Sequence, residues 1–350
     1  MDRNGHMIGA VLYGREDLKI EQIAVPSLAD DEVLVRVKVA LTCGTDLKVW
    51  KRGYHARMIS PPAIFGHELA GVIEQMGDSV PADLSVGMRV VPANSAPCSS
   101  CLFCRKGRAN LCEDLLFNNG AYAQFIRIPG RIVRRNLLEI PHHVPFLDAA
   151  LVEPLACVLR GIQETGIGAG DTTVVIGCGP IGLQFIRLLA RRDVRVLALG
   201  KRRSQIMAAE RLGATAAFDV SRLKNPVQAI RQLTEGQRGP DSVIEAVGSP
   251  TTWQWAMQMV RRGGTVNLFG GCPQGSRVQF DPVELHYSEI TVKSTFHHTP
   301  RFIAEALETI AQGEIRASDF VTGEIALKEL PQLFQHMKHR NGELKTAVIP

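Results

Sequence analysis

No apolar run in this 350-residue chain approaches the roughly 18 residues that a membrane-spanning helix needs. No block of five or six like charges occurs either. The 40 basic residues stand against 35 acidic ones, a net charge of +5. So mild and dispersed a balance argues against a nucleic-acid partner. Internal repeats and low-complexity tracts are absent too. The opening "MDRNGHMIGAVLY" lacks the apolar core of a secretory signal, and Met7 offers a second candidate start. A cytoplasmic, reducing location is therefore expected. There, the eight cysteines serve as metal ligands or buried thiols more readily than as disulfides. What is present is ordinary for a soluble globular protein, 45% apolar and 21% charged, and the length suggests two domains.

Four cysteines fall together in "PCSSCLFCRKGRANLC": Cys98, Cys101, Cys104 and Cys112, spaced C-x2-C-x2-C-x7-C. Two-residue gaps let successive thiolates turn inward on one ion while backbone amides stabilise their charge. Four sulfurs close a tetrahedral zinc shell and leave no position open for chemistry, so this zinc is expected to be structural. A second set is dispersed. "CGTD" supplies Cys43, Thr45 and Asp46, "GHELAG" supplies His67 and Glu68, and "VEPLAC" supplies Glu153 and Cys157. Thiolate, imidazole and carboxylate together suit a catalytic zinc with an open position.

"DTTVVIGCGPIGLQFIRLLARR" reads as a β-branched strand, then G-x-G-x-x-G at Gly177, Gly179 and Gly182, then an amphipathic helix. That context is what a dinucleotide fingerprint requires. The glycines permit a tight turn and close approach of a pyrophosphate to the helix N-terminus. Strand and helix signals alternate onward: "VRVLAL" before "SQIMAAERLGA", "AAFDV" before "NPVQAIRQLTEG", "DSVIEAVG" before "TTWQWAMQMV", then "GGTVNLFG" and "EITVKSTF". The pattern predicts an α/β fold, a doubly wound parallel sheet over about 155–296. Ahead of it, "DEVLVRVKVALT", "GVIEQMG" and "GMRVVP" predict a β-rich lobe. Two amphipathic helices are expected near 301–312 and 329–339, and the apolar "KTAVIP" should return to the first lobe.

With these motifs in view, the chain resembles the zinc-dependent medium-chain alcohol dehydrogenase family, in its sorbitol/polyol and threonine dehydrogenase-like branch. "GHELAGVIEQMGDSV" fits that family's G-H-E-x2-G-x5-G-x2-V signature through Gly66, His67, Glu68, Gly71, Gly77 and Val80. The resemblance implies a GroES-like catalytic domain over 1–154 and 297–350, with a structural zinc lobe at 95–115, and a Rossmann domain over 155–296. It implies two zinc ions per chain. Cys43, His67 and Glu153 fall at catalytic ligand positions, and Glu68 at that of a mobile glutamate able to bind zinc directly or through water. Thr45 matches the hydroxyl that takes the substrate's proton, Asp46 the carboxylate behind the zinc-bound histidine, and Cys157 a residue lining the nicotinamide pocket. Gly177, Gly179, Pro180, Ile181, Gly182 and Val247 fall at cofactor positions. A homodimer or homotetramer is expected, with "EITVKSTF" as the edge strand for sheet-to-sheet pairing.

The chain also departs from the polyol pattern. Sorbitol dehydrogenases carry an Arg-Tyr pair after the last sheet strand, where this chain has "TFHHTP" with His297 and His298. Trp50, Tyr54 and His55 stand where specificity loops usually lie. In NAD-preferring members the second Rossmann strand ends in an acidic residue about 20 residues past the glycine turn, which binds the ribose hydroxyls. That position is Gly200 here, followed by Lys201, Arg202 and Arg203. Glycine leaves room for a 2′-phosphate and the cations would bind it, so NADP(H) is the expected cofactor. The expected reaction is hydride transfer between NADP(H) and a small secondary alcohol, or polyol-like substrate, and its ketone. A threonine-dehydrogenase-like enzyme on an amino or hydroxy acid is the alternative within the class. A nucleotide-binding member without catalysis is the alternative outside it.

Overall fold

The computed structural model describes residues 5–55, 57–339 and 343–350. The chain divides into two compact units, residues 1–156 with 298–350, and residues 157–297.

In the first unit a seven-stranded sheet runs in the order Leu137–Glu139, Arg89–Pro92, Leu69–Met76, Val33–Leu41, Lys345–Ile349 and Val321–Ala326, with Phe125–Ile128 also pairing on Val33–Leu41. The central strand "VLVRVKVAL" buries every residue except Arg36 and Lys38, the pattern of a strand with one wet edge of its face. The carboxyl-terminal strand Lys345–Ile349 pairs antiparallel with it, Ala347 opposite Leu41. A three-stranded sheet of Asp17–Ala24, His6–Gly14 and Ala63–Ile64 completes the β-rich part. Trp50, Phe65, Tyr122 and Phe334 pack ring against ring at 5.7–6.4 Å in the core of this unit. The helices Pro300–Ala311 and Leu330–Lys338 form in the tail. The first buries Phe302, Ile303, Ala306, Leu307 and Ile310 along one stripe.

The second unit is a six-stranded parallel sheet in the order Ala216–Asp219, Arg195–Gly200, Thr172–Ile176, Ser242–Glu245, Thr265–Leu268 and Thr291–Lys293. Central strands such as Val174–Ile176 and Leu197–Leu199 are buried on both faces, as a sheet covered by helices requires. Chain order reverses between Thr172–Ile176 and Ser242–Glu245. Open α/β sheets bind ligands at such a point, beyond the carboxyl ends of the strands. Thr291–Lys293, the core of "EITVKSTF", is the edge strand. Among the described residues no helix is long and apolar enough to cross a membrane.

Candidate functional site

In the cysteine lobe, donor atoms of Cys98, Cys101, Cys104 and Cys112 all lie within 4.8 Å of one another. Cys98 Sγ is 4.0 Å from Cys104 Sγ, and Cys101 Sγ is 3.9 Å from Cys112 Sγ. A zinc ion about 2.3 Å from each sulfur would set them about 3.8 Å apart, so the spacing suits zinc and is far too long for disulfides. Amides prepare the charge. Ser100 and Cys101 donate to Cys98 Sγ, and the Ser100 amide and hydroxyl lead in drawing that thiol down to about 6. Burial and the adjacent Cys101 and Cys112 push Cys104 up to about 12. Four sulfurs packed this closely, two of them with lowered and two with raised pKa, fit a site that a cation would complete.

Of the dispersed set, Cys43, Thr45, Asp46, His67, Glu68 and Glu153 fall in the first unit and Cys157 opens the second. Cys43 caps helix Gly44–Arg52, its sulfur accepting the Thr45 amide at 3.4 Å, while Asp46 reaches back to the Cys43 amide at 3.3 Å. Donor atoms of Cys43, His67 and Glu68 lie within 4.8 Å of one another. Asp46 Oδ1 is 2.9 Å from His67 Nδ1, and its Oδ2 accepts the Tyr122 hydroxyl at 2.6 Å. The carboxylate thus fixes the imidazole with one nitrogen toward Asp46 and the other toward the Cys43 thiol, an orientation common behind metal-binding histidines. Burial alone would lower the His67 pKa, yet Asp46 and Cys43 hold it well above the usual imidazole range.

Glu68 is fully buried and forms a close ion pair with Lys345, which also donates to the Thr42 carbonyl at 3.0 Å. The other carboxylate oxygen of Glu68, Oε1, is buried without a hydrogen-bond partner. Glu153, at the start of helix Val152–Thr165, is buried as well. Burial pushes its carboxyl up to about 7, against the pull of His67 and Lys345 and with the push of Glu68 and Asp46. Three carboxyl groups and a thiol share this space with one ammonium and one imidazole. A divalent cation would balance that excess, and the donor set fits zinc.

Glu153 is not in the close group of Cys43, His67 and Glu68. Its carboxylate lies within 4.8 Å of a ring nitrogen of His298, whose Nε2 is 2.9 Å from Asn94 Oδ1. An amide oxygen only accepts, so Nε2 is the donor in this bond. His297 belongs to the second unit, where Arg160 donates to its carbonyl at 2.9 Å. Trp50 departs from the specificity-loop expectation. It is 1% exposed and packs against Phe334, because its indole fills the aromatic core. Tyr54 is exposed, while His55 is half-buried with Nδ1 accepting the amides of Arg57 and Met58.

In the second unit Gly177 has φ +107°, and a Cβ on Gly182 would meet the Gly177 carbonyl oxygen at 1.7 Å, so neither position admits a side chain. A Cβ on Gly179 would meet nothing within 4 Å, which leaves that face of the turn open. Gly179 caps helix Pro180–Ala190, with Pro180 in its first turn; the first amides of the helix, at Ile181 and Gly182, lack intrahelical acceptors. Gly200 ends its strand opposite Asp219. Lys201 and Arg203 are exposed and Arg202 half-buried at the start of helix Arg203–Arg211. Asp219 is engaged by the Ser221 amide and hydroxyl and stands 3.6 Å from Arg222. A Cβ on Gly200 would come within 3.0 Å of both Cys178 Sγ and Ile206 Cγ1, so the space beside it is tighter than the glycine alone suggests. Cys157 is half-buried on helix Val152–Thr165.

Family comparison agrees with this architecture. The alcohol dehydrogenase GroES-like domain matches residues 29–141, and the zinc-binding dehydrogenase domain matches residues 180–312. The chain is 28% identical to sorbitol dehydrogenase of Bacillus subtilis strain 168, across 99% of this chain and 98% of that one. It is equally 28% identical to D-xylulose reductase A of Aspergillus oryzae, across 97% and 95%. A candidate zinc-binding dehydrogenase of Sinorhizobium meliloti 1021, solved bound to NADP, superposes with a TM-score of 0.89 at 29% identity over 99% of each chain. The chain belongs to the zinc-dependent medium-chain alcohol dehydrogenase family, in its polyol branch.

Proposed function

We propose that this protein is an NADP(H)-preferring oxidoreductase that interconverts a secondary alcohol or polyol-like substrate and its ketone. We assign catalysis to the unit of residues 1–156 and 298–350, and dinucleotide binding to the unit of residues 157–297. Cys43, His67, Glu68 and Glu153 would hold the catalytic zinc, and the four-cysteine lobe a second, structural ion. The observation that carries the reading is the cluster of half-buried Cys43 with buried His67 and Glu68, Asp46 orienting the imidazole.

Zinc held by these residues would supply Lewis acidity toward the substrate oxygen, and a bound nicotinamide would supply the hydride chemistry. The chain's own residues do the rest. Asp46, itself anchored by Tyr122, keeps His67 in one tautomer. Lys345 holds one oxygen of Glu68, and the other is buried without a hydrogen-bond partner. Thr45, half-buried next to Cys43, takes the hydroxyl proton and passes it outward. In the second unit the open face at Gly179 and the helix behind it receive the pyrophosphate. Gly200, Lys201, Arg202 and Arg203 receive the 2′-phosphate, and the NADP-bound Sinorhizobium relative supports that choice. The family resemblance further implies a cytoplasmic homodimer or homotetramer acting on a small molecule.

The test is steady-state kinetics with NADP(H) and NAD(H) over a panel of polyols, secondary alcohols, cyclitols and L-threonine. Wild type should show the higher kcat/KM with NADP(H). Arg202→Ala should lose about 1.5–3 kcal/mol of NADPH binding and leave NADH nearly unchanged. A wild-type preference for NAD(H) would refute the cofactor assignment. Turnover of L-threonine alone would refute the substrate class.

A further inference from the structure

Glu245 ends the strand Ser242–Glu245 and is fully buried, yet nothing in the chemistry above uses it. Its Oε1 accepts the amides of Val247 at 2.8 Å and Gly248 at 2.9 Å, and its Oε2 stands 3.2 Å from the Gly248 amide. Its main-chain carbonyl accepts the amides of Phe269 at 3.0 Å and Gly270 at 2.8 Å. The Trp253 indole closes the same knot by donating to the Gly270 carbonyl at 3.0 Å. One residue therefore ties the loop after its own strand to the loop after the neighbouring strand. A buried carboxyl group is costly unless hydrogen-bonded. Burial raises the pKa of this one, while the Gly248 amide, the Thr252 side chain and the Val247 amide draw it back.

Val247 shows what the knot positions. The side chain is apolar but 43% exposed, and its Cγ2 lies 2.8 Å from where a Cβ on Gly177 would sit. It therefore walls one side of the glycine turn. In sheet order Val247 follows the strand on one side of the reversal point, and Gly200 ends a strand on the other. Dinucleotides lie across such a point. With the 2′-phosphate at Gly200, the adenosine half lies on that side and the nicotinamide half on the Val247 side.

We propose that Glu245 is a positioning residue for the nicotinamide half of the cofactor. It holds Val247 and Gly248 rigidly beside the glycine turn without touching the cofactor itself. This inference depends on the dinucleotide reading above.

The experiment compares dissociation constants for NADPH and for adenosine 2′,5′-bisphosphate, which carries only the adenosine side, in wild type and Glu245→Gln. Glu245→Gln should weaken NADPH about tenfold, as charge-assisted bonds to two amides become neutral ones, and leave the fragment unchanged. KM for NADPH should rise while zinc content stays the same. Equal weakening of both ligands would mean general loosening and overturn the proposal, as would no weakening of either. Should Glu245→Gln fail to fold, Val247→Gly probes the wall directly, with the same split expected and the same outcomes overturning it. Wild type that binds neither NADPH nor NADH would instead refute the dinucleotide reading itself.

Discussion

Lys345→Met keeps a long side chain in the core and removes its charge. In the wild type Lys345 and Glu68 are 3% and 0% exposed, so neither charge is solvated by water. Removing one partner of such a pair leaves the other buried and uncompensated, at a cost of about 3–5 kcal/mol. A unit of about 200 residues shifts its melting point by about 2–4 °C per kcal/mol. The metal-free variant should therefore melt roughly 6–20 °C below metal-free wild type. Zinc would place positive charge beside the orphaned carboxylate, so the zinc-loaded variant should lose less than half as much. The double variant Glu68→Gln, Lys345→Met removes both charges and should recover most of the stability, because replacing a buried pair outright is often near neutral. Thermal denaturation with and without chelator reads all three. A metal-free Lys345→Met that melts within about 2 °C of wild type would show that the lone Glu68 charge costs far less than this.

Cys104→Ser should lose one zinc per chain and aggregate or melt early, since the lobe depends on its metal; unchanged zinc content and melting would contradict the structural assignment. Thr45→Val should retain zinc and cofactor and lose most of kcat, and a near-normal kcat would place the proton path elsewhere. Filling the catalytic site at pH 7 should release about one proton from His67, because its pKa is raised and zinc needs the neutral imidazole. Zinc affinity should accordingly fall as pH drops. Calorimetry of protein already holding one zinc, in buffers of different ionisation heat, would contradict this by finding no net release.

What the sequence reveals follows the reach of each interaction along the chain. The four-cysteine lobe is legible because its ligands lie within a single loop and its spacing is the chemistry. The glycine turn is legible because strand, turn and helix are consecutive, and the β-branched strands of the second unit announce themselves by composition. The partners of the dispersed site are not legible. Lys345 meets Glu68 across 277 positions, His298 meets Asn94 across 204, and Tyr122 meets Asp46 across 76. A lysine in an apolar tail carries no local sign that it will be buried; only the antiparallel docking of Lys345–Ile349 on Val33–Leu41 puts it there. Trp50 misleads for the opposite reason. Its surroundings in sequence are polar and cationic, while its indole turns inward to Phe334. Glu245 reads as one more residue of a parallel strand, since its role depends on two loops meeting beyond the sheet.

At the centre of the proposed function stands a working zinc site of Cys43, His67 and glutamate, distinct from the cysteine lobe. Metal analysis of purified wild type beside Cys43→Ser tests it most directly. About two zinc ions per chain are expected in wild type and about one in Cys43→Ser, with nucleotide binding retained and turnover abolished. About one zinc per chain in both proteins would contradict it and leave a nucleotide-binding fold with a structural metal alone.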